Sequence, residues 1–258
     1  TALMWAVREG KGDVAKLLIE KRADLNARDK NRWSALMWAI SADETDMAKI
    51  LIENGAELNV KDNEEDYTPL MWAIHKNNPY VTKSLIEEGA DLNVKNIHGM
   101  SALMWAIKEH KSDLAKLLIE KGADLNMTDE NGSSALIWAA SKNETGTAKI
   151  LIEKGADLNV KEHLTGKTAL LWAIYSGNTG TAKLLVEKGA DLNMRDRKYD
   201  LTPLILAISK NNTDIAELLI EQGADVTVKS MTGWTALHGA IIMKNKTIRE
   251  TLEKKGTP

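Results

Sequence analysis

Apolar and polar stretches alternate along this chain in one recurring cycle. A hydroxyl residue opens it, as at Ser101. A short apolar run follows, Ala102-Leu103-Met104-Trp105-Ala106-Ile107, and then a polar break. A second run carries Leu114, Leu117, Leu118 and the stem of Lys121 at helical spacing. The cycle predicts one helix over about 101–109 and a second over about 112–121. Ser101 is a good N-cap, because its hydroxyl can accept from an unpaired amide of the first turn. Two cycles place proline directly after the cap, Pro69 and Pro203, where the missing N–H costs nothing. Gly122 can take the left-handed conformation that ends the second helix. The stretch Ala123–Ser133 is rich in Asn, Asp and Gly and reads as an extended turn.

The cycle has a fixed length. Its Ser/Thr-Ala/Pro-Leu head begins at Thr1, Ser34, Thr68, Ser101, Ser134, Thr168, Thr202 and Thr235, in steps of 33 or 34 residues. A tail phrase, Gly-Ala-Asp/Glu-Leu-Asn, keeps pace at 55–59, 89–93, 122–126, 155–159 and 189–193, with looser copies at 22–26 and 223–227. Two helices this short cannot bury their apolar faces alone, but stacked neighbours can, which predicts a solenoid. The head T-x-L-x-x-A, the tail G-A-D-x-N and the 33-residue period resemble the ankyrin-repeat family. The resemblance implies an all-α helical-repeat fold, an ankyrin-repeat solenoid with short β-hairpin tips projecting along one edge of a concave groove. It spans residues 1–258 as a single domain, with repeats beginning at about 1, 34, 68, 101, 134, 168, 202 and 235 and a cap-like last repeat over 235–258.

Some positions depart from the family pattern. The family carries histidine after the leading leucine, where it ties neighbouring repeats by hydrogen bonds. Here Met4, Met37, Met71, Met104, Ile137, Leu171 and Ile205 stand there, and only His238 conforms. Apolar packing is expected in place of the polar ties, with methionine filling the gaps. Arg22 replaces the tail glycine, at about 1 kcal/mol of strain if the left-handed geometry is kept. The second helix of the last repeat, 247–255, leaves one apolar stripe, Ile248 and Leu252, as a terminal repeat needs. The first repeat has no polar outer face at Val14, Leu17, Leu18 and Ile19, and further sequence upstream is expected.

Trp5, Trp38, Trp72, Trp105, Trp138 and Trp172 all sit two residues after the leading leucine. Fixed register makes them packing between repeats rather than an exposed stacking platform. A fully buried indole removes about 150–250 Å² from water, an upper bound of about 4–6 kcal/mol each.

Composition narrows the function classes. The formal net charge of -3, from 34 basic and 37 acidic residues, lacks the basic excess of a nucleic-acid binder and the cationic face of a membrane-surface binder. There is no cysteine, which excludes disulfides and thiolate zinc and fits an intracellular, cytoplasmic setting. No apolar run is long enough to span a bilayer. The five histidines form no metal-binding pair on a helix face, and no phosphate-binding or nucleophile-elbow motif is present. The tail carboxylates from Asp24 to Asp225 recur in register, which marks them as structural. The chain therefore predicts no catalytic residue, metal or cofactor, and a monomer. Lys-Glu pairs four apart, from Lys16–Glu20 to Lys183–Glu187, read as a solvated face worth at most about 0.2–0.5 kcal/mol each.

Positions that vary within a constant frame point to recognition. Directly before each cap stand Trp33, Tyr67, Met100, Ser133, Lys167, Leu201 and Trp234. A second variable row closes the first helices, including His75, Lys108, Ser141 and Tyr175. Three tips, 62–67, 162–167 and 196–201, carry an extra residue. The expected partner-binding set is Trp33, Tyr67, His75, Met100, Lys108, Tyr175, Tyr199, Leu201 and Trp234, on a non-catalytic module that binds a protein through its groove and tips. Two alternatives stand beside it: a sensing or docking region of a larger enzyme or host-delivered effector, and an engineered scaffold.

Overall fold

The computed structural model describes residues 1–255; the last three residues of the cap-like repeat predicted over 235–258 lie outside the described residues. Contacts group the chain into two compact units, Thr1–Asp129 and the residues from Glu130 onward. The first holds four helix pairs: α1 (Ala2–Arg8) with α2 (Gly12–Glu20), α3 (Ala35–Ser41) with α4 (Thr45–Glu53), α5 (Pro69–His75) with α6 (Pro79–Glu87), and α7 (Ala102–Lys108) with α8 (Ser112–Glu120). The second holds α9 (Ala135–Ser141) with α10 (Thr145–Glu153), α11 (Ala169–Tyr175) with α12 (Thr179–Glu187), α13 (Pro203–Ser209) with α14 (Thr213–Glu221), and α15 (Ala236–Ile242) with α16 (Lys246–Lys254). Within each unit this is the helical-repeat solenoid that the period predicts.

Local chemistry sets the helix ends. Every first helix begins at its Ser or Thr, whose hydroxyl accepts from the amide three residues on, as Ser34 does from Met37 at 3.3 Å. Pro69 and Pro203 occupy the first helical position. The glycines after α4, α6, α8, α10, α12 and α14 are left-handed, and Arg22 after α2 adopts the same conformation at φ 61°, the strained geometry expected of it.

The core of each unit runs between successive helix pairs. Met37, Met71, Met104 and Leu171 are fully buried, so the place of the family histidine is apolar, as expected. Polar ties between repeats nevertheless exist, moved to the start of the second helices. In the first unit, Asn78 caps α6 through Oδ1, while its Nδ2 donates to Thr45 Oγ1 at 2.7 Å and Asp43 Oδ1 at 3.2 Å in the preceding repeat. Asn212 and Asn245 do the same in the second unit, donating to Thr179 Oγ1 and Thr213 Oγ1. His238 turns inward on its own repeat, with Nδ1 2.8 Å from Thr235 Oγ1.

The tips differ from expectation. No extended strand forms among the described residues. The tips are closed by local backbone bonds, such as Asp62 N–H to the Tyr67 carbonyl at 3.1 Å or Asp196 N–H to the Leu201 carbonyl at 3.1 Å, and Thr128 and Ser134 form an isolated bridge. Arg32 and Asp66, just before Trp33 and Tyr67, are left-handed and turn the chain out of a ladder. One further bond links neighbouring tips, from Asn63 N–H to the Asn31 carbonyl in the first unit and from Arg197 N–H to the Thr165 carbonyl in the second.

The outer charge row closes only in part. Lys83–Glu87, Lys116–Glu120 and Lys149–Glu153 meet at 3.7–4.0 Å. Lys49 lies instead over the Tyr80 ring, and Lys183 reaches Asp214. Val14 and Leu17 are about half exposed, and α16 buries only Ile248 and Leu252, the predicted stripe. No helix of the described residues is long and apolar enough to cross a membrane.

Candidate functional site

The repeated carboxylates are committed to the fold. Asp91 Oδ1 accepts from the Asn93 amide at 2.8 Å, and Asn59 Oδ1 accepts from the Asp91 amide of the next repeat at 2.9 Å. The same couple recurs at Asp191, Asn193 and Asn159 in the second unit. These side chains shape turns and join repeats. Among the described residues no group of three or more His, Asp or Glu is placed to hold a metal ion.

The aromatic residues are arranged differently from the expectation. Of the six helix tryptophans only Trp105 is buried, at 6% exposure, while Trp5 is 55% exposed. Trp38, Trp72, Trp138 and Trp172 are half-buried. Trp38, Trp72 and Trp105 each lie against a residue that stands directly before a cap. Those residues, Trp33 and Tyr67, are themselves aromatic. The Trp33 ring lies 4.8 Å from Trp38 and 4.9 Å from Trp72. The Tyr67 ring lies 5.8 Å from Trp72 and 4.9 Å from Trp105. His75 meets Trp72 edge-on at 5.7 Å, and Lys108 Nζ stands 4.7 Å above Trp105. Four of the expected partner-binding residues, Trp33, Tyr67, His75 and Lys108, thus come together in one aromatic row.

Burial qualifies their accessibility. His75 is exposed, and Trp33 and Lys108 are half-buried. Tyr67 keeps only 9% of its surface in water, and its phenol is pushed up to about 12, by burial first and by Glu65, Glu109 and Asp62 in addition. Met100, at 2% exposure, is a core residue and offers a partner almost no surface.

A carboxylate beneath two of the tips anchors the row. Asp62 Oδ1 accepts from the Glu65 and Tyr67 amides, and its Oδ2 accepts from Trp72 Nε1 at 2.9 Å. Asp29 does the same for the Asn31 and Trp33 amides and for Trp38 Nε1 at 3.1 Å. Sequence reasoning missed this pairing. The signal was present: counting back from each cap finds Asp29, Asp62, Asn96, Asp129, Glu162, Asp196 and Ser230 at one structural place.

The second unit presents more open chemistry. Tyr175, Tyr199 and Trp234 are 47%, 51% and 43% exposed, and Leu201 is half-buried. Tyr175 meets Trp172 edge-on at 5.7 Å. Lys167 Nζ stands 5.2 Å from the Trp172 ring and 4.9 Å from Tyr175, and Lys210 Nζ stands 4.4 Å from Tyr175. Lys198 covers the Tyr199 ring at 4.9 Å. Beneath the 162–167 tip, burial of Glu162 opposes its ionisation. Hydrogen bonds from the Thr165 hydroxyl and the Thr165, Leu164 and Lys167 amides outweigh that and hold its carboxyl below the usual range. Between Trp138 and Trp172 lies a cavity of about 310 Å³.

Comparison with known proteins accords with this architecture. A family model described as "Ankyrin repeats (3 copies)" matches residues 1–62, 60–129, 103–196 and 195–257. No curated protein matches the chain by sequence. Among solved structures, the crystal structure of the ankyrin repeat domain of Bcl-3, described as a unique member of the IkappaB protein family, is 25% identical with a TM-score of 0.74. The match covers 85% of this chain and 98% of that one.

Proposed function

Because the chain belongs to the ankyrin-repeat family, whose repeats are in general protein-interaction modules, we propose that it is a non-catalytic module that binds a protein partner. The carrying observation is the exposed group Tyr175, Tyr199 and Trp234, held by helix ends and hydrogen-bonded tips of one compact unit. Tyrosine and tryptophan are enriched at interface cores and offer large contact area at low entropic cost. The scaffold beneath them is already formed, which limits the ordering cost of association. The exposed Lys210 ammonium over Tyr175 adds a cation at the rim. The preferred contact residues are therefore Tyr175, Tyr199, Leu201 and Trp234, with the exposed edge of the Trp33, His75 and Lys108 row as a further patch.

The test is affinity capture from the native source with the wild-type chain and with a Tyr175→Ala, Tyr199→Ala, Trp234→Ala triple variant, each checked for intact helicity. The triple variant should lose the captured partner. Equal recovery by a folded triple variant refutes the assignment of these residues.

A further inference from the structure

We propose that the gap between Trp138 and Trp172 is a receptor slot for an aromatic side chain of the partner, carried on a segment with carboxylates beside the ring. The proposal rests on reading this chain as a protein-binding module and specifies the chemistry of one contact.

The first unit supplies the template. There the space between consecutive helix tryptophans is filled by the ring before the cap, Trp33 between Trp38 and Trp72 and Tyr67 between Trp72 and Trp105, at centroid distances of 4.8–5.8 Å. In the second unit the matching position between Trp138 and Trp172 holds Ser133, which has no ring. A cavity of about 310 Å³ opens there, lined by Ser133, Ile137, Trp138, Ser141, Lys142 and Trp172 among others. Its size lies at the low end of the range for ligand sites, about 300–1,000 Å³, and suits a side chain better than a cofactor.

The gap does not close by collapse, because the layer beneath fixes the spacing of α9 and α11. Leu136, Ala139, Leu170 and Leu171 are fully buried there. Two half-buried indoles thus face a space that the same sequence frame elsewhere fills with an indole or a phenol.

Charge specifies the surroundings of the ring. Lys142 lines the slot and is partly exposed, and Lys210 stands exposed over Tyr175; Lys167, over Trp172, is buried at 7% exposure and serves the packing of the indole. Neither Lys142 nor Lys210 is paired with a carboxylate among the described residues. A partner segment with acidic residues beside its aromatic side chain satisfies both features, the ring between the indoles and a carboxylate on the Lys142 ammonium, with Lys210 further along.

The experiment titrates the full chain with three blocked pentapeptides and reads its tryptophan fluorescence. One has a central phenylalanine flanked by aspartates, one a central alanine flanked by aspartates, and one a central phenylalanine flanked by lysines. The first should bind at least about tenfold more tightly than either control, a difference of about 1.4 kcal/mol. Ser133→Trp places the chain's own ring in the slot and should reduce the phenylalanine-to-alanine preference to about one. Lys142→Glu, a change at a partly exposed position that leaves the core untouched, should weaken the acidic phenylalanine peptide at least about fivefold and keeps the proposal testable if Ser133→Trp does not fold. Equal binding of the phenylalanine and alanine peptides overturns the slot, as does a preference that survives a folded Ser133→Trp. In that event, acidic binding that still depends on Lys142 leaves the protein-binding reading standing while the slot fails.

Discussion

Replacing Asn96 by aspartate should stabilise the first unit. Asp29 and Asp62 each satisfy two tip amides with Oδ1 and a helix indole with Oδ2. Asn96 occupies the matching place. Its Oδ1 accepts from the His98 amide at 3.1 Å and the Met100 amide at 2.9 Å. Its second polar atom is a donor, Nδ2, and the partner across from that place in the sister tips is also a donor. Both Asn96 Nδ2 and Trp105 Nε1 are buried without an acceptor. Flipping the amide would only strand the two backbone amides instead. Each orphaned donor costs about 1–3 kcal/mol, and a hydrogen bond to a charged group contributes about 1.5–3 kcal/mol net. Burying the new charge, with Asn96 only 5% exposed and Glu65 paired to the neighbouring His98, offsets much of that. The expected net gain is about 1–2 kcal/mol. Urea unfolding followed by circular dichroism at neutral pH measures it, and Trp105→Phe completes a double-mutant cycle by removing the indole N–H. If Asn96→Asp is neutral or destabilising, or its gain persists in the Trp105→Phe background, the account of this site is wrong.

Two other outcomes follow from the aromatic row. Trp33→Ala removes the ring between Trp38 and Trp72; a buried Trp→Ala costs about 3–5 kcal/mol, and half-burial reduces this to about 2 kcal/mol, read as an earlier urea midpoint with red-shifted tryptophan emission. Tyr67 has its phenol raised from 10.0 to about 12 in the folded chain, so its contribution to stability is complete below pH 10 and is lost as pH rises through about 12. Ultraviolet titration should show one of the four tyrosines ionising late, and Tyr67→Phe should remove that step together with part of the alkaline loss of stability.

The period, the caps and the glycine stops are legible in the sequence because they are local. A serine three residues before an amide, or a glycine after a leucine-rich turn, acts through its own neighbours. The tail carboxylates are legible for a related reason, since register alone marks Asp91 or Asp191 as a repeated structural part. The degree of burial of the tryptophans is not legible. Trp38 and Trp72 occupy the same place in their repeats as Trp105, yet only Trp105 is buried, and what lies against an indole is set in the folded chain. Met100 misleads for the same reason: its place in a variable row points to recognition, while the fold turns it inward. Asn78 reads as an ordinary turn residue, and only the approach of Thr45 from the preceding repeat reveals it as a tie.

The place before the cap is where stability and recognition meet in this fold. Filled by Trp33 or Tyr67, it joins two tryptophans through two ring contacts, each worth about 0.5–1.5 kcal/mol beyond the area buried. Filled by Lys167, it sets a buried ammonium group against Trp172 and Tyr175 and leaves Tyr175 exposed. Filled by Ser133, it gives up both ring contacts, about 1–3 kcal/mol, and leaves a gap with aromatic walls. A ring at position 133 would strengthen the stack, so the serine there forgoes stability that the same frame secures elsewhere. Sites that give up stability in this way are the ones where function most often resides. The helix frame keeps the indoles in register, and the one residue ahead of each cap decides whether the space between them is closed by the chain or open to another molecule.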